Sequence, residues 1–393
     1  MKHQLIQWLI GGCLLILAGV GGWAIYQAHR PQDDQVRLND DVVRTHYREW
    51  QREHLVVADK MKFVATNKDH SRTLSEAQGY GMLITVMASG HGLATRRAFD
   101  DLTQYYLENR ISAKNPLMAW RQTNKTGLMR STAAEQTSAT DGDLDIAYAL
   151  ILADERWGSN GSFDYQALAQ QLIQAIKRRE IDPTTQLPRV GDWATTGNSR
   201  HLIRTSDLMT AYFRKFASFT GDQSWSQVAT NSQTVLRKLS QEHETGLMAD
   251  FVTVRGERLE IGQVKPNQVA TATDADYGYN ACRVPWRTAY DYRLSKSRIS
   301  RAVTEKMLRF FDQQTEITAV YKVTGQPVEQ TINLAFTAPI AYAARELGNR
   351  RLIQRCTPLL VGPNDGAHYY PATLQMLMVL LSSEAGPDPA GTS

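Results

Sequence analysis

Apolar residues recur three or four positions apart along most of this chain, the spacing that lets a helix bury one face. The clearest helical patterns cover residues 42–54, 76–88, 143–155, 165–178, 207–219, 224–239, 281–294, 297–311, 331–347 and 372–381. One segment, 247–261, alternates instead around Arg255 and Gly256 and predicts a β-hairpin. These patterns, with short connections and no solenoid repeat, predict an all-α toroid in which inner and outer helices alternate along the chain.

The first 30 residues follow a different pattern. Residues 5–26 form an almost uncharged apolar run of the length that crosses a bilayer, longer than a signal-peptide core and without a clear cleavage site. We expect a signal anchor over 1–30, a polar linker over 31–41, a folded domain over 42–383 and a disordered tail over 384–393. The charges on either side of this run give only a weak bias to its orientation in the membrane. We expect a single-pass protein whose folded domain lies outside the cell.

Composition narrows the range of functions. The chain is 42% hydrophobic and 21% charged, which is ordinary for a globular protein, and its net charge is +4. The positive charges form no basic run with interleaved aromatic residues, so nucleic acid is not an expected partner. Cys13, Cys282 and Cys356 form neither a CxxC pair nor a metal-ligand spacing, so thiol chemistry is not expected.

Three aspartates stand at every second position in ATDGDLDIAYALILADERW, residues 139–157, where an apolar helix begins. An EF-hand calcium loop would need glycine and glutamate where this chain has Ile146 and Leu152, so that kind of site is excluded. The positive end of the helix dipole explains one or two aspartates, but repulsion among three like charges makes it a poor account of them all. The cluster therefore suggests chemistry as well as helix capping.

Two other segments place polar and acidic residues before helices. In TLSEAQGYGM, Ser75 and Gln78 form a predicted capping box, which puts Glu76 in the first turn of a helix. In ATATDADYGYNACRVPWR, acidic and aromatic residues precede another helix. Because the inner helices of an α/α barrel run parallel, their N-termini open on one face and would bring Glu76, Asp141 and segment 274–280 together. Converging carboxylates and aromatic rings are what hydrolysis of a glycosidic bond requires.

These segments resemble the motifs of glycoside hydrolase family 8, which contains endoglucanases, lichenases, chitosanases and xylanases. ATDGDLDIAYALILADERW resembles the family's most specific motif, SEAQGYGM its general-acid segment and YNACRVPWR its third motif. The resemblance spans the whole region after the anchor. It implies an (α/α)6 barrel, an inverting mechanism, and neither a catalytic metal nor a cofactor.

By this resemblance, Glu76 takes the place of the general acid, and Asp141 that of the aspartate lining the subsite where the cleaved sugar is distorted. Asp143 and Asp145 are then expected to cap the helix or to support the site. The helix dipole lowers the pKa of Glu76, so Asp141 and desolvation must raise that pKa if Glu76 is to hold a proton near neutral pH.

Asn280 departs from many family members, which have an aspartate as the general base at this place. An amide cannot take a proton from water at neutral pH. Family members with asparagine here use a glutamate about ten residues upstream, where this chain has Ala270. Asp276 and Asp274 are the candidates for the base. The alternative is that one of them only caps the following helix.

The remaining candidates would bind substrate or hold the carboxylates. Arg283 matches an arginine of the third motif and would keep the carboxylates in place. Trp120 and Tyr277 are candidates for stacking on sugar rings, and Tyr369 and Tyr370 resemble a tyrosine pair near the family's cleft. For each aromatic residue the alternative is a place in the core.

The sequence thus predicts a monomeric, membrane-anchored extracellular enzyme that cleaves β-1,4-linked glucan, chitosan or exopolysaccharide chains internally. Two alternatives stay open. Asn280 without a clear base would suit a polysaccharide-binding protein that has lost turnover, although the intact Glu76 argues against it. A structural membrane-anchored toroid would have little reason to keep Glu76, Asp141 and Arg283 together.

Overall fold

The computed structural model describes residues 38–125, 127–363 and 368–383. In these ranges, twelve α-helices alternate along the chain between an outer and an inner ring. The outer helices are α1 (Asp40–His54), α3 (Arg96–Glu108), α5 (Tyr165–Arg179), α7 (Ser224–Glu242), α9 (Arg298–Gln313) and α11 (Arg350–Val361). The inner helices are α2 (Ser75–Gly90), α4 (Thr140–Trp157), α6 (Thr210–Thr220), α8 (Val284–Ser295), α10 (Leu334–Leu347) and α12 (Tyr369–Ser383).

The predicted anchor and C-terminal tail lie outside the described residues. None of the described helices is both long enough and apolar enough to cross a membrane.

The inner and outer helices differ in how much of their surface is buried. The inner helices α2 and α10 are buried along almost their whole length and carry small or apolar residues on every side. The outer helices α1 and α9 bury one face and expose charged residues on the other. This difference follows from the sequences, because a helix surrounded by neighbours needs apolar or small residues all round, whereas a surface helix needs only one apolar stripe.

The rings close by joining the two ends of the described chain. The outer helices α3, α5, α7, α9 and α11 each pack on the inner helix that precedes them in sequence. Helix α1 has no such predecessor and packs on α12 instead. The indole Nε1 of Trp50 donates a hydrogen bond of 2.9 Å to Oγ1 of Thr373 across this contact.

Ten short strands lie between the helices in sequence. They are β1 (Leu55–Ala58), β2 (Met61–Val64), β3 (Arg72–Leu74), β4 (Arg110–Ser112), β5 (Asn115–Met118), β6 (Arg121–Lys125), β7 (Leu128–Arg130), β8 (Leu202–Arg204), β9 (Phe251–Arg255) and β10 (Glu260–Gln263). They form four small antiparallel sheets: β1–β2, β4–β5, β3–β6–β7 and β8–β9–β10. The predicted hairpin is confirmed, since Arg255 of β9 pairs with Glu260 of β10. The other strands are too short to give an alternating pattern in the sequence.

The predicted capping box at the start of α2 is wrong. Ser75 is the first residue of the helix rather than its cap, because the preceding Leu74 is still paired in β3. The backbone N–H of Ser75 donates to the carbonyl of Trp120 at 3.0 Å. The side-chain amide of Gln78 points away from the cap and donates to backbone carbonyls of β2 and α3. Strand pairing thus satisfies groups that a capping box would otherwise satisfy.

Two glycines allow α2 and α4 to lie in direct contact. A Cβ atom at Gly142 would be 2.5 Å from Oγ of Ser75 and 2.7 Å from the backbone nitrogen of Glu76. A Cβ atom at Gly79 would meet a side-chain carbon of α4 at 2.8 Å. Neither position has room for a methyl group. The first turns of the two helices, which carry Glu76 and Asp141, therefore touch through backbone.

We expect Gly142→Ala to lower the free energy of unfolding by about 1–3 kcal/mol, because the added methyl group must push the two helix starts apart. Gly90→Ala is the matched control, since a Cβ atom at this exposed end of α2 would meet nothing within 4 Å. Urea denaturation of both variants measures the difference. Equal stability of G142A and the wild type would contradict the close contact.

Candidate active site

The N-terminal ends of the inner helices bring polar side chains to one face of the barrel. Glu76 and Tyr369 lie in the first turns of α2 and α12, and Asp141 lies in the first turn of α4. Arg283 comes directly before α8, and Asp207 lies just before α6. The contacts described below join these residues. Of the predicted meeting of Glu76, Asp141 and segment 274–280, the structure brings Glu76, Asp141 and Asn280 together, whereas Asp274 and Asp276 lie on other partners.

Arg283 is the centre of this network and is fully buried. Its Nη1 donates to Oε2 of Glu76, to Oδ2 of Asp141 and to the hydroxyl of Tyr80, each at 3.0 Å. Its Nη2 donates to Oδ1 of Asn280 at 3.1 Å. One guanidinium group therefore fixes both predicted catalytic carboxylates and the amide that replaces the usual base.

Glu76 is positioned to hold a proton. Its side chain is 17% exposed, and the hydroxyl of Tyr369 donates to its Oε1 at 3.2 Å. Burial raises the pKa of this carboxyl from 4.5 to about 7, with Arg283 acting against the rise and Asp141 adding to it. The effect of burial thus exceeds the attraction of the neighbouring cation, and the carboxyl remains partly protonated near neutral pH.

The pKa of Asp141 shifts in the opposite direction. Burial acts to raise its pKa, but Arg204 and Arg283 outweigh that effect and lower the pKa from 3.8 to about 2. Nη1 of Arg204 lies 2.7 Å from Oδ1 of Asp141. Asp141 is consequently an ionised group beside a protonated one, which is the usual division of labour between two active-site carboxyls.

Arg204 is a site residue that the sequence patterns did not reveal. It ends strand β8 and also lies 3.3 Å from Oδ2 of Asp207, whose pKa burial raises to about 7. The strand is three residues long and has no recognisable motif around it. Only the fold shows that this arginine reaches Asp141.

The other two aspartates of the cluster support the start of α4. Asp145 accepts hydrogen bonds from Arg287, at 2.8 and 2.9 Å, and from the hydroxyl of Tyr212 at 2.9 Å. Asp143 accepts the backbone N–H of Met118 at 2.8 Å. Both carboxyl groups are fully buried. The three aspartates therefore have three separate sets of partners, which limits their mutual repulsion.

Asp250 is another residue of this region that the sequence patterns did not reveal. Its Oδ1 accepts the backbone N–H groups of Gly278, Asn280 and Ala281 at 2.7–3.0 Å, and its Oδ2 accepts the side-chain amide of Asn280 at 3.3 Å. Burial raises its pKa to about 6, and the N–H groups act against the rise. It lies inside the predicted hairpin segment 247–261, where no catalytic motif marks it, and it is 30 residues from Asn280 in sequence.

The two predicted base candidates are engaged elsewhere. Asp274 is fully buried and accepts the backbone N–H groups of Val269, Ala270 and Thr271. Asp276 is buried and pairs with Nζ of Lys322 at 2.8 Å. Asp274 therefore has a structural role, but not the predicted alternative of capping the following helix, because the N–H groups that it accepts belong to its own loop.

The backbone of Trp120 lies next to the start of α2, because its carbonyl accepts the N–H of Ser75, the residue before Glu76. Its ring is partly exposed, and the guanidinium carbon of Arg121 lies 4.5 Å from the ring centre. One face of the indole is thus covered by a cation, and Arg121 is itself paired with Glu135. This arrangement holds the ring in a fixed orientation outside the core, and stacking of Trp120 on a sugar stays a prediction.

Tyr277 is not a sugar-stacking residue in this structure. It is completely buried and packs against Phe311 and Phe336. Tyr279, two positions later, is 37% exposed, and its backbone carbonyl accepts the hydroxyl of Tyr370 at 2.6 Å. The sequence showed an aromatic pair but not which ring would face solvent, and the prediction chose the wrong one.

Trp193 adds an exposed aromatic ring on the same face. It is 47% exposed and follows Asp192, whose carboxylate accepts the N–H of Ser138 at 3.0 Å. The backbone N–H of Asp192 donates in return to Oγ of Ser138 at 2.9 Å. These bonds tie the Trp193 loop to the segment directly before Asp141. An exposed tryptophan at this place is suited to stacking on a sugar ring.

A cavity of about 790 Å³ lies next to Glu76. Its lining residues include Lys68, Arg72, Glu76, Tyr279, Asn280, His368, Tyr369 and Tyr370. The volume lies within the range of roughly 300–1,000 Å³ that is common for ligand sites. Carboxyl, amide and tyrosine groups thus share one concave surface.

Comparison with known proteins places this chain in a family. Residues 39–384 match the family model described as "Glycosyl hydrolases family 8". The chain is 30% identical over 353 residues to a "Beta-glucanase" of Niallia circulans, a match that covers 87% of this chain and 84% of the relative. It is also 30% identical over 331 residues to an "Endoglucanase" of Bacillus sp. (strain KSM-330), covering 79% and 68% of the two chains.

Solved structures agree with this assignment. The apo structure of a β-1,3-1,4-glucanase from Paenibacillus sp. X4 superposes with a TM-score of 0.79 and 29% identity, covering 87% of this chain and 91% of that one. A cold-adapted family 8 xylanase, 20% identical and with a TM-score of 0.71, covers 87% of this chain and 91% of its own and shares the fold. The chain therefore belongs to glycoside hydrolase family 8, and its two rings of helices are the (α/α)6 barrel of that family.

Proposed function

We propose that this glycoside hydrolase cleaves β-1,4-linked glucan chains internally and with inversion at the anomeric carbon. The observation that carries the proposal is the pair of carboxyl groups on Arg283, one with a pKa raised to about 7 and the other with a pKa lowered to about 2. The names of the relatives, β-glucanase and endoglucanase, support the choice of a glucan.

In this proposal Glu76 is the general acid. Its protonated carboxyl gives a proton to the glycosidic oxygen as the bond to the leaving sugar breaks. The carboxylate that results is stabilised by Nη1 of Arg283 and by the hydroxyl of Tyr369, which already contact its two oxygens. Both contacts are to the charged product of proton transfer, so they favour the transfer itself.

Asp141 is better suited to stabilising charge than to activating water. One oxygen of each carboxyl lies 3.0 Å from the same nitrogen of Arg283, so these oxygens are no more than twice that distance apart. An inverting enzyme needs roughly 6.5–9.5 Å between acid and base to hold a water. With two arginines paired to it, Asp141 would stabilise the positive charge that develops on the sugar ring.

We assign the base to Asp250, acting beside Asn280. Three N–H groups occupy its Oδ1, but Oδ2 accepts only the amide of Asn280 at 3.3 Å and so keeps a lone pair. A pKa of about 6 makes Asp250 ionised at neutral pH yet able to accept a proton, which Asp141 with its pKa of about 2 does poorly. Asn280 would orient the water through its amide.

A polysaccharide-binding protein without turnover is the second candidate function. Asn280 in place of the usual base is the observation that favours it. Against it stand the elevated pKa of Glu76 and the complete set of hydrogen bonds around Arg283, which binding alone does not require.

The apolar run over residues 5–26 has the length of a membrane-spanning helix and supports a proposal for the location of the enzyme. We propose a signal anchor that holds a monomeric catalytic domain outside the membrane, where it meets cell-surface or newly exported polysaccharide. Cell fractionation tests this, because the native protein should sediment with membranes and be digested by protease added to intact cells. Recovery from the soluble cytosolic fraction would exclude the anchor.

Glu76→Gln should reduce turnover of an unactivated β-1,4-glucan by roughly a hundredfold to ten-thousandfold, because it removes the proton donor without changing side-chain size. The measurement is the release of reducing ends by the full-length chain in detergent. Glu155→Gln is the matched control, since Glu155 lies near the opposite end of α4 and is half exposed. Near-wild-type activity of E76Q would refute the role of Glu76.

Asp250→Asn should lower kcat by a similar factor, and sodium azide or formate should restore part of the turnover by replacing the lost base. Asp276→Asn should stay within a few-fold of wild type, because it only breaks the pair with Lys322.

In the wild type, kcat/KM should rise with pH as Asp250 ionises near 6 and fall as Glu76 loses its proton near 7.

The acidic limb of that profile should disappear in Asp250→Asn. If Asp276→Asn or Asp274→Asn causes the large, azide-rescued loss while Asp250→Asn does not, the assignment of the base is wrong.

A further inference from the structure

Basic side chains line one wall of the cleft. Among the described residues that surround the 790 Å³ cavity, Lys68, Arg72 and His368 are basic and Glu76 is the acidic one. Glu76 has a pKa of about 7 and is only partly ionised at neutral pH, and its carboxylate is already paired with Arg283. The wall therefore presents positive charge to whatever fills the cavity.

A short turn carries Lys68 and Arg72 and holds Arg72 in place. The backbone N–H of Arg72 donates to Oδ1 of Asn67 at 3.0 Å, and its Nε donates to Oγ1 of Thr66 at 3.1 Å. The amide of Asn67 donates to Oγ of Ser71 at 2.9 Å. Because the turn is closed by its own hydrogen bonds, Arg72 is oriented before any ligand binds.

The acidic groups near the wall keep their charge but are hydrogen-bonded to partners other than Lys68 and Arg72. The carboxylate of Asp69, next to Lys68, accepts the N–H and hydroxyl of Ser71 at 3.2 and 2.7 Å. Glu329 accepts the hydroxyl of Tyr279 at 3.2 Å. Among the described residues, neither Lys68 nor Arg72 has a carboxylate oxygen within 4.0 Å.

The wall also carries aromatic rings. Tyr279 and Tyr370 line the same cavity, and their rings are 6.5 Å apart. Tyrosines hold the apolar faces of sugar rings, whereas lysine and arginine bind carboxylate or phosphate groups. The chemistry that matches both is a glycan chain with anionic substituents.

We propose that this wall selects glycans carrying carboxylate or phosphate groups over neutral ones, and that it disfavours the polycationic chain of chitosan. This inference rests on the proposed function, because it concerns the substrate of the same cleft. It narrows the three predicted substrate classes by removing chitosan and by favouring an acidic glucan or exopolysaccharide.

The test compares the full-length enzyme on carboxymethylcellulose, hydroxyethylcellulose and chitosan. The wild type should cleave the anionic polymer with the highest kcat/KM and chitosan with the lowest. The double variant Lys68→Ala/Arg72→Ala should lose roughly two- to fivefold per cation on carboxymethylcellulose, as expected for partly exposed ion pairs, and stay within about twofold on the neutral polymer. High salt should remove the same preference from the wild type.

Arg298→Ala/Arg350→Ala is the matched control, because it removes two positive charges from exposed positions on the outer helices α9 and α11. It should leave the ratio between the two cellulose derivatives unchanged. If the Lys68/Arg72 variant also leaves that ratio unchanged, or if chitosan is the preferred substrate, the inference is overturned while the proposed function stands. Cleavage of no polymer by the wild type would overturn both.

Discussion

The buried guanidinium of Arg283 is the interaction on which the rest of this site depends. A buried cation is costly unless its charge is balanced and its donors are satisfied. Here the ionised Asp141 supplies the counter-charge and the partly ionised Glu76 a further acceptor, and the two come from the first turns of two other inner helices. The requirement to neutralise one arginine therefore forces three helix starts to meet, and it builds the catalytic surface as a consequence of folding.

The two carboxyl groups on Arg283 have pKa values shifted in opposite directions because their surroundings differ. Asp141 has a second cation in Arg204, so attraction outweighs burial and the group stays ionised. For Glu76, burial outweighs the attraction of Arg283, and Asp141 adds repulsion. The close backbone contact at Gly142 keeps this repulsion in place, since α2 and α4 could not lie so near with a larger residue there. Packing and acid–base chemistry are thus linked at one glycine.

The sequence predicted the helices well because their apolar spacing is set by burial against neighbours, and the barrel buries every helix on at least one face. Glu76, Asp141 and Arg283 could be named because they lie within recognisable motifs. Arg204 and Asp250 could not, since neither lies in a recognisable catalytic motif. Arg204 ends a strand too short to show a pattern, Asp250 lies in the predicted hairpin segment, and both meet the site only through contacts that the closed barrel creates. Tyr277 and Tyr279 show the same limit at smaller scale, because a sequence of alternating aromatics does not say which ring faces the cleft.

In the proposed mechanism, Glu76 gives a proton while a separate base, Asp250, directs water to the opposite face of the sugar. The most direct measurement is the anomeric configuration of the first product, followed by proton NMR of a β-1,4-gluco-oligosaccharide in the first minutes of hydrolysis, before mutarotation. An inverting site predicts that the α-anomer appears first. Initial release of the β-anomer would mean that a carboxylate attacks the sugar directly, and it would contradict the inverting mechanism.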